Sequence, residues 1–475
     1  MIRSISILYF MLICAGSVAG TDSTDTVSLK GRAPGYAGEE IIFYAYTDHI
    51  TRTEKEIFRF SVDTNDEFSV DFLTGTNIQY IFSHIGTNYT YMYVESGEDY
   101  VVMLPGKTNK TPWERLNPYF EGTPTHIAVL NKDDSCINTL ISRFDNMYEP
   151  LFGEPLIRLT VNRDQQLFDS IINEFDMEFS TSTNYYFDDY KRYKMALFGI
   201  ISQQHSAKLL SDNYFLNDPV LYENVSYMEL FNQVYNKYFQ FFSRTPSGSR
   251  IFEDINKKRS LSSLKNTLQT DPVLGGGRLL EMVLLKGLHD SFYGSDFSRS
   301  ALLVVLDSLA ATTIYAEHEL IAGHIREKVT RLLKGFRPPA FELLDSRGEL
   351  VSLSDYHGYY VYLNFCTAAS YSCLSEYDLL SRMIVNHKPY LKLVTIFIDD
   401  SYDSMLDFLS KYDYDWDFLF YGNQPSILKE YDIRMFPGYY LIDRDGTLLM
   451  SPAPSPGENF EVLLLRTMRE RGEVK

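Results

Sequence analysis

Tyr360 to Cys366 is an uncharged, apolar and aromatic run broken only by Asn364, Thr367 to Ser372 is small and polar apart from Tyr371, and Leu374, Tyr377, Leu380 and Met383 then recur at helical spacing. A buried strand that turns straight into an amphipathic helix accounts for that order. Leu391 to Ile398 forms a second buried run, and Met405, Phe408 and Leu409 follow it at helical spacing. Strand, helix, strand in succession implies a right-handed parallel crossover, so this end of the chain folds as an α/β unit. Ser370 stands where strand gives way to helix. A Ser there is a good N-cap, because its side-chain oxygen accepts a hydrogen bond from the free backbone amides of the first turn.

The junction resembles that of the TlpA-like thioredoxins of bacterial cell envelopes, which reads Asn-Phe-Trp-Ala-x-Trp-Cys-x-x-Cys with a Glu three residues on. Laying Asn364-Phe365 on that frame puts Cys366 at the first Trp, Ala369 at the second, Ser370 at the first Cys, Cys373 at the second and Glu376 at the Glu. A second stretch carries the same resemblance. Phe436-Pro437-Gly438 precedes an apolar run ending Ile442-Asp443-Arg444-Asp445-Gly446, and the family places a cis-Pro before a strand that ends Ile-Asp-x-x-Gly. Gly438 departs from the frequent Thr. The resemblance implies a cis peptide before Pro437, a loop packed over the helix tip, and pairing of the backbone before that proline with an extended peptide.

The same frame says what chemistry is missing. In the family's dithiol the first sulfur attacks as a thiolate and the second resolves the mixed disulfide. Ser370 cannot form a disulfide, and its alkoxide is inaccessible at neutral pH without a dedicated base. Two functions follow. In the first, the domain is a non-catalytic module that binds a protein or an extended peptide through a groove around Ser370, Tyr371, Phe436 and Pro437. In the second, it remains a thiol-disulfide oxidoreductase whose catalytic residue is Cys373, with or without Cys366. Both cysteines also read as small buried core residues, and a spacing of seven does not by itself set the Cα separation that a disulfide needs.

The rest of the chain makes this a multi-domain protein. Arg3, the apolar run Ile5 to Cys14 and the small residues Ala15 to Gly20 form a signal peptide over 1–20, cut after Ala19 or Gly20. Ile13 occupies the place before Cys14 where a lipid anchor needs a small residue. Cleavage leaves Cys136, Cys366 and Cys373, an odd number of thiols for an oxidising compartment. Short alternating runs such as Ile41 to Tyr46, Ile57 to Val62 and Tyr89 to Val94 predict an antiparallel β-sandwich over 26–122. Helical periodicity, as in Leu167, Phe168, Ile171, Ile172 and Phe175, predicts an all-α domain over 123–335. The thioredoxin-like α/β domain takes 336–475. Chains with this type of thioredoxin domain often carry similar β and helical modules ahead of it, as spacers or docking surfaces.

A net charge of -19 argues against nucleic acid as a partner. After the signal no run is long and uncharged enough to span a bilayer, so the expectation is an exported protein of the periplasm or cell envelope of a Gram-negative bacterium. No cofactor or metal motif stands out. His318 and His324 are six apart where a zinc-protease helix needs four, roughly 240° around the helix. Gly275-Gly276-Gly277-Arg278 lacks the Lys-Ser/Thr of a phosphate loop.

Overall fold

The computed structural model describes residues 26–474 apart from 112, 113, 115, 116, 118, 400, 423 and 424. The expected signal peptide and Cys14 lie outside the described residues. Among the described residues nine strands come first: β1 (Thr26–Arg32), β2 (Glu40–Asp48), β3 (Thr53–Ser61), β4 (Glu67–Leu73), β5 (Ile78–Ile85), β6 (Asn88–Glu95), β7 (Asp99–Met103), β8 (Thr123–His126) and β9 (Ala128–Val129). They form two sheets, ordered β4-β1-β7-β9 and β3-β2-β5-β6-β8. Alternate residues of both sheets, among them Val27, Leu29, Phe43, Phe60, Ile81, Met92 and Tyr100, meet in one core, as the period of two requires.

The expectation of a wholly antiparallel arrangement needs correction. β1 pairs β7 in parallel, Leu29 opposite Tyr100, and β6 pairs β8 in parallel, Tyr89 opposite Pro124. Insertion of β1 between β4 and β7 is what creates the first of these. That close approach also explains Gly31, whose added Cβ would lie 1.9 Å from the Val102 carbonyl oxygen. The expected boundary at 122/123 falls inside the second pairing, because β8 and β9 are too short to show alternation.

Helices follow from Ile137–Tyr148 to Ala316–Thr330. Asp164, Asn184, Ser206, Asn224 and Ser260 each cap one by accepting from the amide three residues on, so polar residues at regular intervals set where helices begin. The helices do not keep their apolar faces to themselves. Ile78 and Tyr93 of the five-stranded sheet share a core with Ile141, Phe144, Phe175 and Tyr190, and Ile50 joins the core around Phe231, Leu284 and Leu306. No helix of the described residues is long and apolar enough to cross a membrane.

The C-terminal part is a thioredoxin-like domain. Seven strands, β10 (Glu342–Asp345), β11 (Leu350–Ser352), β12 (Tyr360–Cys366), β13 (Leu391–Phe397), β14 (Asp417–Phe420), β15 (Gly438–Ile442) and β16 (Leu448–Met450), make one sheet in the order β11-β10-β14-β13-β12-β15-β16. β12, β13 and β14 are parallel, and β15 runs antiparallel to β12. The expected crossover is present, with helix Tyr371–His387 between β12 and β13.

Candidate site at the strand-helix junction

β12 is buried at every position, with β13 on one side and β15 on the other. Its alternation sends Tyr362, Asn364 and Cys366 to one face. On that face Tyr362 stacks on Tyr439 and Phe460, at 5.0 and 3.7 Å between centroids. Asn364 Oδ1 accepts from Thr395 Oγ1 at 3.3 Å, and Thr395 Oγ1 accepts from Trp416 Nε1 at 3.0 Å. A polar thread therefore runs through the core toward Cys366.

Beyond Cys366 the chain turns within a few residues. Thr367 oxygen accepts from Ser370 N and Thr367 Oγ1 from Ala369 N, both at 3.2 Å. Ser370 is extended at φ -97°, and its Oγ accepts from the Cys373 amide at 3.4 Å, long for such a bond. It is the N-cap of the junction helix, as its residue type predicts. Tyr371, one residue on, is 84% exposed.

The second loop arrives through the sheet. Phe365 lies opposite Gly438 in the β12·β15 register, which sets Pro437 beside the Cys366 end of β12. The Phe436-Pro437 peptide is cis. Met435 is 75% exposed and Phe436 half-buried. Among the described residues, the backbone groups of Met435 and Phe436 have no backbone partner. The structure thus gathers Ser370, Tyr371, Cys373, Cys366, Phe436 and Pro437 at one end of the sheet.

Cys366 and Cys373 are both 0% exposed and neither is in a disulfide. Each shifts the other's pKa. The Cys366 thiol holds the Cys373 pKa below the usual thiol value; burial opposes this, and the Thr367 amide and Ser370 hydroxyl reinforce it. Burial, and then Cys373 itself, push Cys366 well up. Of the two sulfurs, the one at the helix tip is therefore the more readily ionised. Asn364 Nδ2 and Tyr377 Oη have no well-formed hydrogen bond, yet both lie close enough to Cys366 to lower its pKa. Cys136 is far along the chain and half-buried, at the N-cap of helix Ile137–Tyr148.

Sequence reasoning missed several neighbours. Tyr439 Oη donates to the Glu376 carboxylate, a contact foreshadowed only by the frame residue Glu376. Tyr119, from the β region, donates to Asp432, and Arg434 lies 5.6 Å from its ring, so the β region touches the loop that carries the cis proline. Nothing in the sequence signalled that contact. His318 and His324 go to separate partners, Glu281 at 3.1 Å and Asp48 at 2.8 Å. Among the described residues no three His, Cys, Asp or Glu side chains are grouped to hold a metal.

A parallel-centred sheet whose strand-helix tip faces a cis-proline loop is the arrangement of a thioredoxin-like domain. Residues 335–450 match the model of the AhpC/TSA family. Thiol-disulfide oxidoreductase ResA of Bacillus subtilis (strain 168) is 25% identical over 154 residues, 32% of this chain and 82% of that protein. Two solved structures are similar over a slightly smaller share of the chain. The thioredoxin domain of a thiol-disulfide oxidoreductase from Bacteroides vulgatus is 20% identical with a TM-score of 0.27, covering 28% of this chain and 96% of its own. The exposed lipoprotein thioredoxin of Streptococcus pneumoniae strain TIGR4 is 22% identical with a TM-score of 0.24, covering 28% and 99%.

Proposed function

We propose that this is an exported TlpA-like protein of the cell envelope whose thioredoxin-like domain binds a protein or extended peptide and does not run the two-cysteine exchange of its class. The observation that carries the reading is the role of Ser370. On the family frame it takes the place of the attacking cysteine, and its Oγ accepts from the Cys373 amide as a helix cap. Ser370-Tyr371-Ser372-Cys373 is then a degenerate dithiol motif that keeps the scaffold and lacks the nucleophile. Cys373 offers no simple substitute, since it is fully buried.

What is left at the tip suits docking. The unpartnered backbone at Met435 and Phe436 favours pairing with an extended strand, which supplies affinity without sequence preference, and the exposed Tyr371 and Met435 side chains add selectivity. Few such bonds, each about 0.5–1.5 kcal/mol net, give micromolar to millimolar binding. The net charge of -19 favours a protein over nucleic acid as the partner. The 1–20 signal supports export to a Gram-negative periplasm or envelope, with the β and helical regions serving as spacers.

The test uses signal-cleaved protein and a cysteine-free unstructured peptide, with binding followed by chemical-shift changes at Tyr371 and Phe436. Saturable shifts that Phe436→Ala weakens at least about fivefold, with no insulin reduction, are the expected result. Insulin reduction that depends on Cys373 would overturn the non-catalytic reading, and absence of any shift would overturn the docking reading.

A further inference from the structure

The helical region holds a cavity of about 490 Å³ where the helices Val225–Val234 and Tyr238–Phe242 meet the turn that follows Leu261–Leu268. That is the size of a site for a small organic molecule. Lys237, left-handed at φ 50°, turns the chain between the first two helices so that Val234 and Phe242 line the same space. Ile200 and Val273 extend the apolar wall. Tyr238 stacks on Phe242 at 5.5 Å between centroids and stands T-shaped to Tyr235 at 6.1 Å. Phe241 lines the cavity too, yet it is 60% exposed and has no ring partner among the described residues. An aromatic face is thus left open at the mouth.

The polar groups of the wall are not equivalent. Lys208 Nζ donates to Asp212 at 2.7 Å, so its charge is already met. Tyr235 Oη is held by Ser211 Oγ at 2.8 Å. Asp271 accepts from two neutral donors, Tyr238 Oη and, at 3.0 Å, the Val273 amide, and among the described residues no cation pairs with it. A carboxylate offers about four acceptor positions, so two bonds leave room for more. Those positions adjoin aromatic rings, where an ammonium gains from the carboxylate and from the ring faces together. The net charge of -19 draws cations toward the chain as a whole.

We propose that this cavity binds a hydrophobic primary amine, with its ammonium on Asp271 and its apolar body among Val234, Phe241 and Phe242. An anionic amphiphile is disfavoured, because Lys208 would have to leave Asp212 to meet it while Asp271 repels it. The helical region then carries a ligand site as well as spacing the domains.

The test uses the full signal-cleaved chain at neutral pH and three probes that share a dansyl group. Dansylcadaverine ends in a primary amine, its N-acetyl derivative is neutral, and dansylaminohexanoic acid ends in a carboxylate. Entry into the cavity is read as brighter, blue-shifted emission. The amine should bind saturably and at least about tenfold more tightly than either other probe, the factor that one charge-assisted hydrogen bond supplies. Asp271→Asn keeps an acceptor in place and should erase that preference while leaving the affinity of the acetylated probe within about twofold. Phe241→Ala, at an exposed position, should weaken the amine and the acetylated probe alike by at least about threefold. Should Asp271→Asn not fold, the ranking of the three probes on the parent and the Phe241→Ala result decide. No saturable change with dansylcadaverine up to about 1 mM overturns the proposal. So does equal or tighter binding of the carboxylate or acetylated probe, an amine preference that survives Asp271→Asn, or a Phe241→Ala protein that binds the amine as the parent does.

Discussion

Ser370 carries two consequences that can be separated by what replaces it. As an N-cap it satisfies one amide of the helix Tyr371–His387, and its replacement by Ala should cost about 1 kcal/mol, read as a lower urea midpoint at constant m-value. Ser370→Asp keeps the acceptor and should hold most of that stability. A drop as large as for Ala would show that the hydroxyl does something other than cap. Ser370→Cys asks about register instead. In a Cys366→Ala background the new thiol has Cys373 as its only nearby partner, and a reducible 370–373 disulfide with gain of insulin reduction is expected. Failure of that bond to form would mean that the tip does not follow the dithiol frame. Both substitutions address a residue whose part in the structure could be read from its type and place alone, because capping is a local matter of a few backbone groups.

Elements were legible where periodicity was strong and obscure where a strand was short or its partners remote. β12, the junction helix and β13 followed from unbroken apolar runs, and the cis peptide at Pro437 followed from the resemblance. β8 and β9, at four and two residues, had no alternation to show. At the site, the places of Cys366 at the end of β12 and of Ser370 and Cys373 at the start of the helix were legible, but how steeply the turn brings the helix back over the strand was not. The same limit hid Asn138. Its Oδ1 accepts from Tyr93 N at 2.8 Å and its Nδ2 donates to Tyr93 O at 2.7 Å, and it does so from a helix beside β6, past the point where β8 stops pairing at Tyr91. A helix side chain thus continues the ladder where the edge strand ends. Asn138→Leu would leave both Tyr93 backbone groups buried without partners, at about 1–3 kcal/mol each. A loss of about 2–5 kcal/mol in denaturant unfolding is expected, and a change under 1 kcal/mol would show that the sheet finds other partners there.

Across the whole molecule, the three regions are joined by specific polar contacts as well as shared cores. Asp48 accepts from His324 Nδ1 at 2.8 Å, Lys328 Nζ donates to Thr51 O at 2.6 Å, and Asn232 Nδ2 donates to His49 O at 2.9 Å. Lys429 of the thioredoxin-like domain lies 3.2 Å from Glu54, an exposed pair worth little by itself. His49 is the most sensitive reporter of the first of these seams. Burial lowers its pKa to about 4, helped by Arg52 and opposed by Asp48 and Glu229. The ring is therefore neutral in the folded protein through a range where the unfolded chain, with a His pKa near 6.5, takes up a proton. The unfolded state binds more protons there, so stability falls as pH falls from about 6.5 toward 4. His205 and His318 are also lowered by burial and act in the same direction, and carboxylates such as Asp290 and Asp345, lowered by their partners, add their own loss at lower pH. Comparison with His49→Gln cancels these shared terms. Between pH 6.5 and pH 5 the parent should lose about 1.5 kcal/mol more than the variant, the difference that a shift of this size generates at about 1.4 kcal/mol per pKa unit. Parallel stability curves for the two proteins would mean that His49 takes up its proton without breaking the seam between the first sheets and the helices.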